Sequence, residues 1–262
     1  MIKNIIVRRP SQNFADGITT SGLGKPNYEL AQKQHEDYIE AFKKCGCSVI
    51  ILEADDRYPD STFVEDVAIV TEKCAIITKP GADSRKGEEI EVIGALRAFY
   101  DNIEYLTDDA CLDGGDILRI DNHFYIGISK RTDSEGAKQL TGILNKYGYT
   151  ASTVPVKHIL HLKTGVVYVE NNTLIATGEF IDNVAFKDFK MIKVDEDEAY
   201  SANCILVNGY LIIPKGFKKT KKALLGAGFE IIEVDMSEFE KMDGGLTCLS
   251  LRIPMENSPN HP

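Results

Sequence analysis

The chain has 262 residues, 43% of them hydrophobic, with nine prolines, a net charge of −10 and a pI near 5.1. That is enough apolar material for a substantial core, and the acidic balance argues against a surface that tracks nucleic-acid phosphates while suiting a small cationic partner. No apolar run approaches the roughly 18 residues that span a bilayer, and six cysteines without CxxC pairs or Cys/His zinc spacing point to reduced thiols and a cytoplasmic protein.

In chain order, Ile2–Arg9 reads as a strand, residues 27–45 as a helix and Ser48–Leu52 as a second strand. Hairpins are predicted at Val67–Thr78 around Thr71-Glu72-Lys73 and at Ile117–Ile128 around Asp121-Asn122. Two more are predicted at Val166–Thr177 around Asn171-Asn172 and at Cys204–Ile213 around Asn208-Gly209. Asn, Asp and Gly between β-branched runs favour such tight reversals. Helical patterns follow over 87–100, 134–147 and 217–227, with Thr132 or Asp133 as the cap of the second. Each leads into a single strand: Ile103–Leu106, Ala151–Val156 and Glu230–Val234. Asn183–Phe189 with Met191–Val194 is a degenerate copy of that helix and strand, and Leu246–Arg252 is a last strand that pairs with Ile2–Arg9.

The pattern is therefore a ββαβ-like unit recurring five times, about every 45 to 50 residues, and a unit that small cannot bury its own apolar face. A closed ring of modules, an α/β propeller, is the expected architecture, as one domain over residues 1–262 with no linker that would divide it. Just before the first strand of each hairpin stand Phe63-Val64-Glu65-Asp66, Asp113-Gly114-Gly115-Asp116, His161-Leu162-Lys163-Thr164-Gly165 and Ser201-Ala202-Asn203-Cys204. The fifth such segment is Asp243-Gly244-Gly245-Leu246-Thr247-Cys248, which sets Cys248 after a Gly-Gly turn at the start of an alternating strand. Taken singly, Asp66 and Asp113 read as turn formers, His161 as a structural histidine and Cys248 as a core thiol. Equivalent positions of a closed ring converge on one end of it, so carboxylates, a histidine and a thiol from distant units are expected to meet there.

With these residues in place, the chain resembles the dimethylarginine dimethylaminohydrolases of the pentein superfamily of guanidine-modifying enzymes. The resemblance runs over nearly the whole chain, through Asp16-Gly17-Ile18-Thr19, Leu23-Gly24-Lys25-Pro26, Pro59 to Asp66, Ile76 to Arg85, His161 to Gly165 and the Cys248 segment. It implies a five-bladed α/β propeller with Cys248 as nucleophile, His161 as general acid and base, and Asp113 as the acid supporting the histidine. It also implies that Asp66 grips the guanidinium with Asp60 and Glu65 beside it, that Arg85 and Arg131 bind the amino-acid carboxylate, and that the backbones near Ile18 and Met242 meet the amino-acid end. The expected reaction converts asymmetric dimethylarginine or monomethylarginine to citrulline plus an amine through a covalent amidino-thioether, with neither metal nor organic cofactor.

The residue types suit that chemistry. A guanidinium carbon is deactivated by resonance, and a thiolate is a far stronger nucleophile than water. Clustered carboxylates repel one another until a cation enters. Arginine deiminases carry an aspartate two positions after the catalytic histidine, and here that position is Lys163, so a second clamp on the guanidinium is expected to be missing, favouring methylated arginine. An arginine deiminase, another guanidine-modifying enzyme and a non-catalytic propeller module are the alternatives. The oligomeric state is left open, a homodimer among the options.

Overall fold

The structure, a computed structural model, describes Met1–Pro254. Its strands and helices follow in the order β1 (Ile2–Arg8), α1 (Tyr28–Lys44), β2 (Ser48–Leu52), β3 (Ala68–Val70), β4 (Ala75–Ile77), α2 (Glu89–Leu96) and β5 (Ile103–Tyr105). Next come β6 (Ile117–Ile120), β7 (His123–Ile128), α3 (Ser134–Lys146), β8 (Thr150–Pro155), α4 (Leu162–Gly165), β9 (Val166–Tyr168), β10 (Thr173–Ala176) and β11 (Lys190–Lys193). The chain then runs through β12 (Ile205–Val207), β13 (Tyr210–Pro214), α5 (Lys218–Gly226), β14 (Glu230–Val234), α6 (Ser237–Glu240) and β15 (Leu251–Pro254).

Among the described residues the strands form five sheets of three: β3-β4-β5, β6-β7-β8, β9-β10-β11, β12-β13-β14 and β15-β1-β2. In each, an antiparallel hairpin pair is followed by a third strand parallel to its middle member. The fifth sheet joins the two ends of the chain, β15 antiparallel and β2 parallel to β1. This is the five-bladed propeller expected from the repeat.

Local chemistry explains the elements. Three of the predicted turns carry non-glycine residues in the left-handed region, Asp121 at φ 52°, Asn171 and Asn172 at 54° and 58°, and Asn208 at 51°, a region that Asn and Asp tolerate better than other side chains. Asn27 caps α1 by accepting from the Leu30 amide, and Asp133 caps α3 by accepting from the Gly136 amide. The degenerate unit has two short 3-10 turns, Gly178–Phe180 and Val184–Phe186, where the others have a crossover helix. Between neighbouring blades lies shared core: Ile69 and Ile76 of one sheet pack with Ile117, Phe124 and Ile126 of the next and with Leu140 and Leu144 of α3. No blade buries its face alone, which is why the ring closes.

One expectation needs correction. The last strand begins at Leu251, while Thr247–Leu249 form a 3-10 turn, so Cys248 lies on a helical turn preceding the strand. The same device recurs at every blade: Val64–Val67, Gly114–Asp116, Leu162–Gly165 and Glu196–Ala202 each form a helical turn directly before, or within a few residues of, a first strand.

Candidate active site

These turns crowd together at one end of the ring, so residues far apart in sequence share a small cavity of about 30 Å³. Its walls include Ile18, Asp60, Asp66, Arg85, Arg131, His161, Met242 and Cys248, with Phe63, Leu160, Asp243 and Gly244 completing it. Of the ten residues singled out in the sequence, eight line this space. Asp113 stands directly behind it, and Glu65 is elsewhere.

His161 precedes the α4 turn, and its Nε2 lies 2.9 Å from Oδ2 of Asp113. Asp113 is fully buried and accepts the Gly81 amide at 2.8 Å on its other oxygen, which fixes the carboxylate and through it the imidazole. Asp116, for which the sequence suggested no role, holds the histidine's turn: its Oδ1 accepts the Leu162 amide at 2.9 Å and its Oδ2 accepts the hydroxyls of Ser129 and Thr132, both at 2.6 Å. Asp66 accepts the Gly115 amide at 2.9 Å and an Arg85 Nη1 bond at 2.6 Å. Cys248 Sγ accepts the Gly245 amide at 3.4 Å.

Charge follows from this geometry. Burial would lower the His161 pKa, but the Asp66, Asp116 and Asp113 carboxylates outweigh it and hold the imidazole up at about 9. Burial, then the fields of Glu65 and Asp66, push the Cys248 thiol up to about 12, against the Gly245 amide and Lys163, which favour the anion. At neutral pH the site thus holds an imidazolium and a neutral thiol. Burial raises the Asp60 carboxyl, opposed by Arg85 and the Ile18 amide. A cation placed beside Asp60 and Cys248 favours both anions at once.

Asp60 also holds the segment above the cavity, accepting the Ile18 amide on both oxygens at 3.1 Å. Thr19 and Ser21 hydroxyls each donate to the Lys241 carbonyl at 2.7 Å, and Thr20 donates its amide and hydroxyl to Asp243 at 2.5 and 3.0 Å. These bonds fix residues 18–21 beside the cavity, with Ile18 forming part of its wall.

Glu65 does not join Asp66. Its Oε1 is bonded to Lys163 Nζ and Arg252 Nη2, each at 2.5 Å, in the wall of a separate channel of about 1010 Å³. That channel is lined by residues from the first strands of all five blades, among them Ile69, Leu118, Val167, Leu206 and Leu251, and therefore runs along the ring axis. Successive residues on a 3-10 turn point about 120° apart, so Glu65 and Asp66 cannot face one cavity. Lys163 supplies no clamp on the cavity side, as expected: its ammonium lies on Glu65, and it does not line the cavity. Among the described residues one set of donor atoms is crowded enough for a metal, Asp66, Asp113 and His161, within 4.8 Å of one another. Asp113 is already committed to His161 and Gly81, and Asp66 to Arg85 and Gly115, an arrangement that serves proton transfer and cation binding directly.

A family model described as N,N dimethylarginine dimethylhydrolase, eukaryotic, matches residues 23–253. The chain is 46% identical to the N(G),N(G)-dimethylarginine dimethylaminohydrolase of Pseudomonas aeruginosa, over 97% of this chain and 100% of that one. It is 34% identical to the enzyme of the same name from Streptomyces coelicolor, over 96% and 97%. Among solved structures, a cysteine-to-serine mutant of the Pseudomonas enzyme complexed with citrulline superposes with a TM-score of 0.95 at 45% identity, covering 97% of this chain and 100% of that chain. The N-terminal domain of the cyanobacterial arginine dihydrolase ArgZ shares the fold, with a TM-score of 0.88 at 20% identity over 97% and 98%.

Proposed function

Because the chain belongs to the dimethylarginine dimethylaminohydrolase family, we propose that its hydrolysis of Nω-methylated arginine to citrulline and an amine is carried by Cys248, His161 and Asp113. The observation that carries the assignment is the cavity in which Cys248 meets Asp66 and a histidine whose Nε2 is bound by Asp113. With Nε2 so occupied, Nδ1 is the ring nitrogen that serves the substrate.

The guanidinium lies against Asp66 and Asp60, and the amino-acid end reaches Arg85, Arg131 and the backbones near Ile18 and Met242. Its charge offsets the carboxylate field that keeps Cys248 protonated, so the thiolate forms when the cation is present. Sulfur then attacks the guanidinium carbon and forms a C–S bond. The imidazolium of His161 gives its Nδ1 proton to the methylated nitrogen, the C–N bond breaks, and dimethylamine or methylamine leaves. An amidino-thioether cation remains on Cys248. Neutral His161 takes a proton from water, hydroxide adds to the same carbon, and collapse expels the thiolate, the hydroxyl proton passing to solvent and leaving the neutral ureido group of citrulline. Asp113 holds the ring's orientation and stabilises its cationic form throughout. In this reading, Ile18 and the latched segment close over the substrate and exclude bulk water.

We further place the protein in the cytoplasm as one catalytic domain over 1–262, a reading supported by six cysteines that are all unpaired and by the absence of a membrane-crossing helix among the described residues. Purified protein incubated with asymmetric dimethylarginine is expected to release citrulline and dimethylamine in equal amounts, and His161→Gly to accumulate a mass increase on Cys248. No citrulline from the unmodified enzyme, or full turnover by His161→Gly, overturns the residue assignment.

A further inference from the structure

Arg85 faces the catalytic cavity with most of its donors already taken. Its Nε donates to both oxygens of Glu88 at 3.2 and 3.1 Å, and its Nη2 to Glu88 Oε2 at 2.8 Å and the Phe63 carbonyl at 3.1 Å. Nη1 donates to Asp66 Oδ2 at 2.6 Å. A guanidinium has five N–H donors, so these bonds leave one, on Nη1, of a residue that lines the cavity. Glu88 takes the largest share, yet it does not line the cavity and is only 3% exposed.

We propose that Glu88 is a positioning residue which governs how tightly the substrate's carboxylate is held, by competing with that carboxylate for the guanidinium of Arg85. The inference rests on the reading of Arg85 as a carboxylate-binding residue. With Asp66 and Glu88 both ionised, one arginine charge faces two buried anions, and an arriving carboxylate is a third. With Glu88 neutral, Arg85 balances Asp66 and its grip on a substrate anion strengthens. Burial, opposed by Arg85 itself, pushes the Glu88 carboxyl up to about 7, so the competition changes strength around neutral pH. Asp60 and Asp66 also act on Glu88, each raising its carboxyl further. On the adjoining helix, Glu89 turns back to the Gly87 amide and Glu91 pairs with Arg8 at 3.1 Å, so neither supplies a substitute. Because the Glu88 pKa is raised, the anion that weakens binding appears as pH rises through 7.

The test compares asymmetric dimethylarginine with its decarboxylated analogue, which keeps the dimethylguanidinium and loses the carboxylate. In the unmodified enzyme, KM for dimethylarginine is expected to rise about tenfold between pH 6 and 8.5 relative to KM for the analogue, which cancels shared effects at Cys248, His161 and Asp66. Glu88→Gln should abolish that relative rise, hold KM for dimethylarginine near its low-pH value and leave kcat within about threefold. Glu88→Asp, which keeps the charge on a shorter arm, should retain a smaller rise. If Glu88→Gln does not fold, the unmodified enzyme with its two substrates still decides, since parallel KM profiles overturn the proposal. So does a Glu88→Gln variant that changes both substrates equally. Arg85→Ala separates the two levels: if it leaves the preference for the carboxylated substrate intact, the reading of Arg85 fails and Glu88 falls with it. Should Arg85→Ala abolish that preference while Glu88→Gln leaves the pH profile unmoved, only the Glu88 inference is lost.

Discussion

Gly115 offers a demanding probe of the site, because a single methyl there meets the reacting groups without touching them chemically. A Cβ built on Gly115 would lie 2.7 Å from His161 Nδ1 and 2.9 Å from both Asp66 Oδ1 and His161 Cγ. Ordinary contact begins at 3.4 Å, so the imidazole must retreat by about 0.7 Å or the turn must move. Neither is free to do so: His161 is tied through Nε2 to Asp113, and the Gly115 amide is tied to Asp66. Overpacking of this kind costs about 1–3 kcal/mol, and displacing a catalytic group by the better part of an ångström costs on the order of a hundredfold in rate. Gly115→Ala should therefore lower kcat/KM for dimethylarginine by roughly two orders of magnitude while lowering Tm only by several degrees. Citrulline release and thermal melting measure the two effects. Activity within threefold of the unmodified enzyme, in a variant with an unchanged melting curve, would refute the placement of Nδ1 between Gly115 and the substrate.

Cys248→Ser should cut turnover by at least about a thousandfold, because a hydroxyl at its normal pKa is a far poorer nucleophile, while calorimetry still detects binding of dimethylarginine; retained activity removes Cys248 from its role. The His161 pKa of about 9 lies above the ordinary 6.5, so its stabilisation is fully present below 6.5 and is lost as pH rises through 9. The shift corresponds to about 3 kcal/mol at 1.36 kcal/mol per unit, and Tm should fall several degrees between pH 6.5 and 9.5, with a shallower fall in His161→Ala; equal slopes contradict the assigned charge. Lys163→Met should destabilise the fold by about 1–3 kcal/mol, since Glu65 then keeps Arg252 alone. The same variant should leave the preference for dimethylarginine over arginine within about threefold, and a larger change in that ratio would return Lys163 to the substrate.

The repeat was legible because its causes are local. Asn171, Asn172 and Asn208 adopt the left-handed backbone that their hairpin turns require, Asn27 and Asp133 cap helices within three residues of themselves, and alternating apolar strands need neighbours on both sides. Five copies of such a unit close into a ring almost regardless of detail, and a ring brings equivalent turns to one end, which is why Cys248, His161, Asp113 and Asp66 could be grouped from their spacing and from the family resemblance. What tertiary structure alone decided is direction. Glu65 and Asp66 are adjacent in sequence, yet one ends on Lys163 and Arg252 in the axial channel and the other in the catalytic cavity, because a 3-10 turn separates their side chains by about 120°. The competition of Glu88 with the cavity for Arg85, and the charge states of His161 and Cys248, likewise arise from burial and from carboxylates contributed by different blades. Composition and periodicity carry local preference and the face of an element, whereas the sum of desolvation and field at a buried atom depends on every neighbour the folded chain supplies.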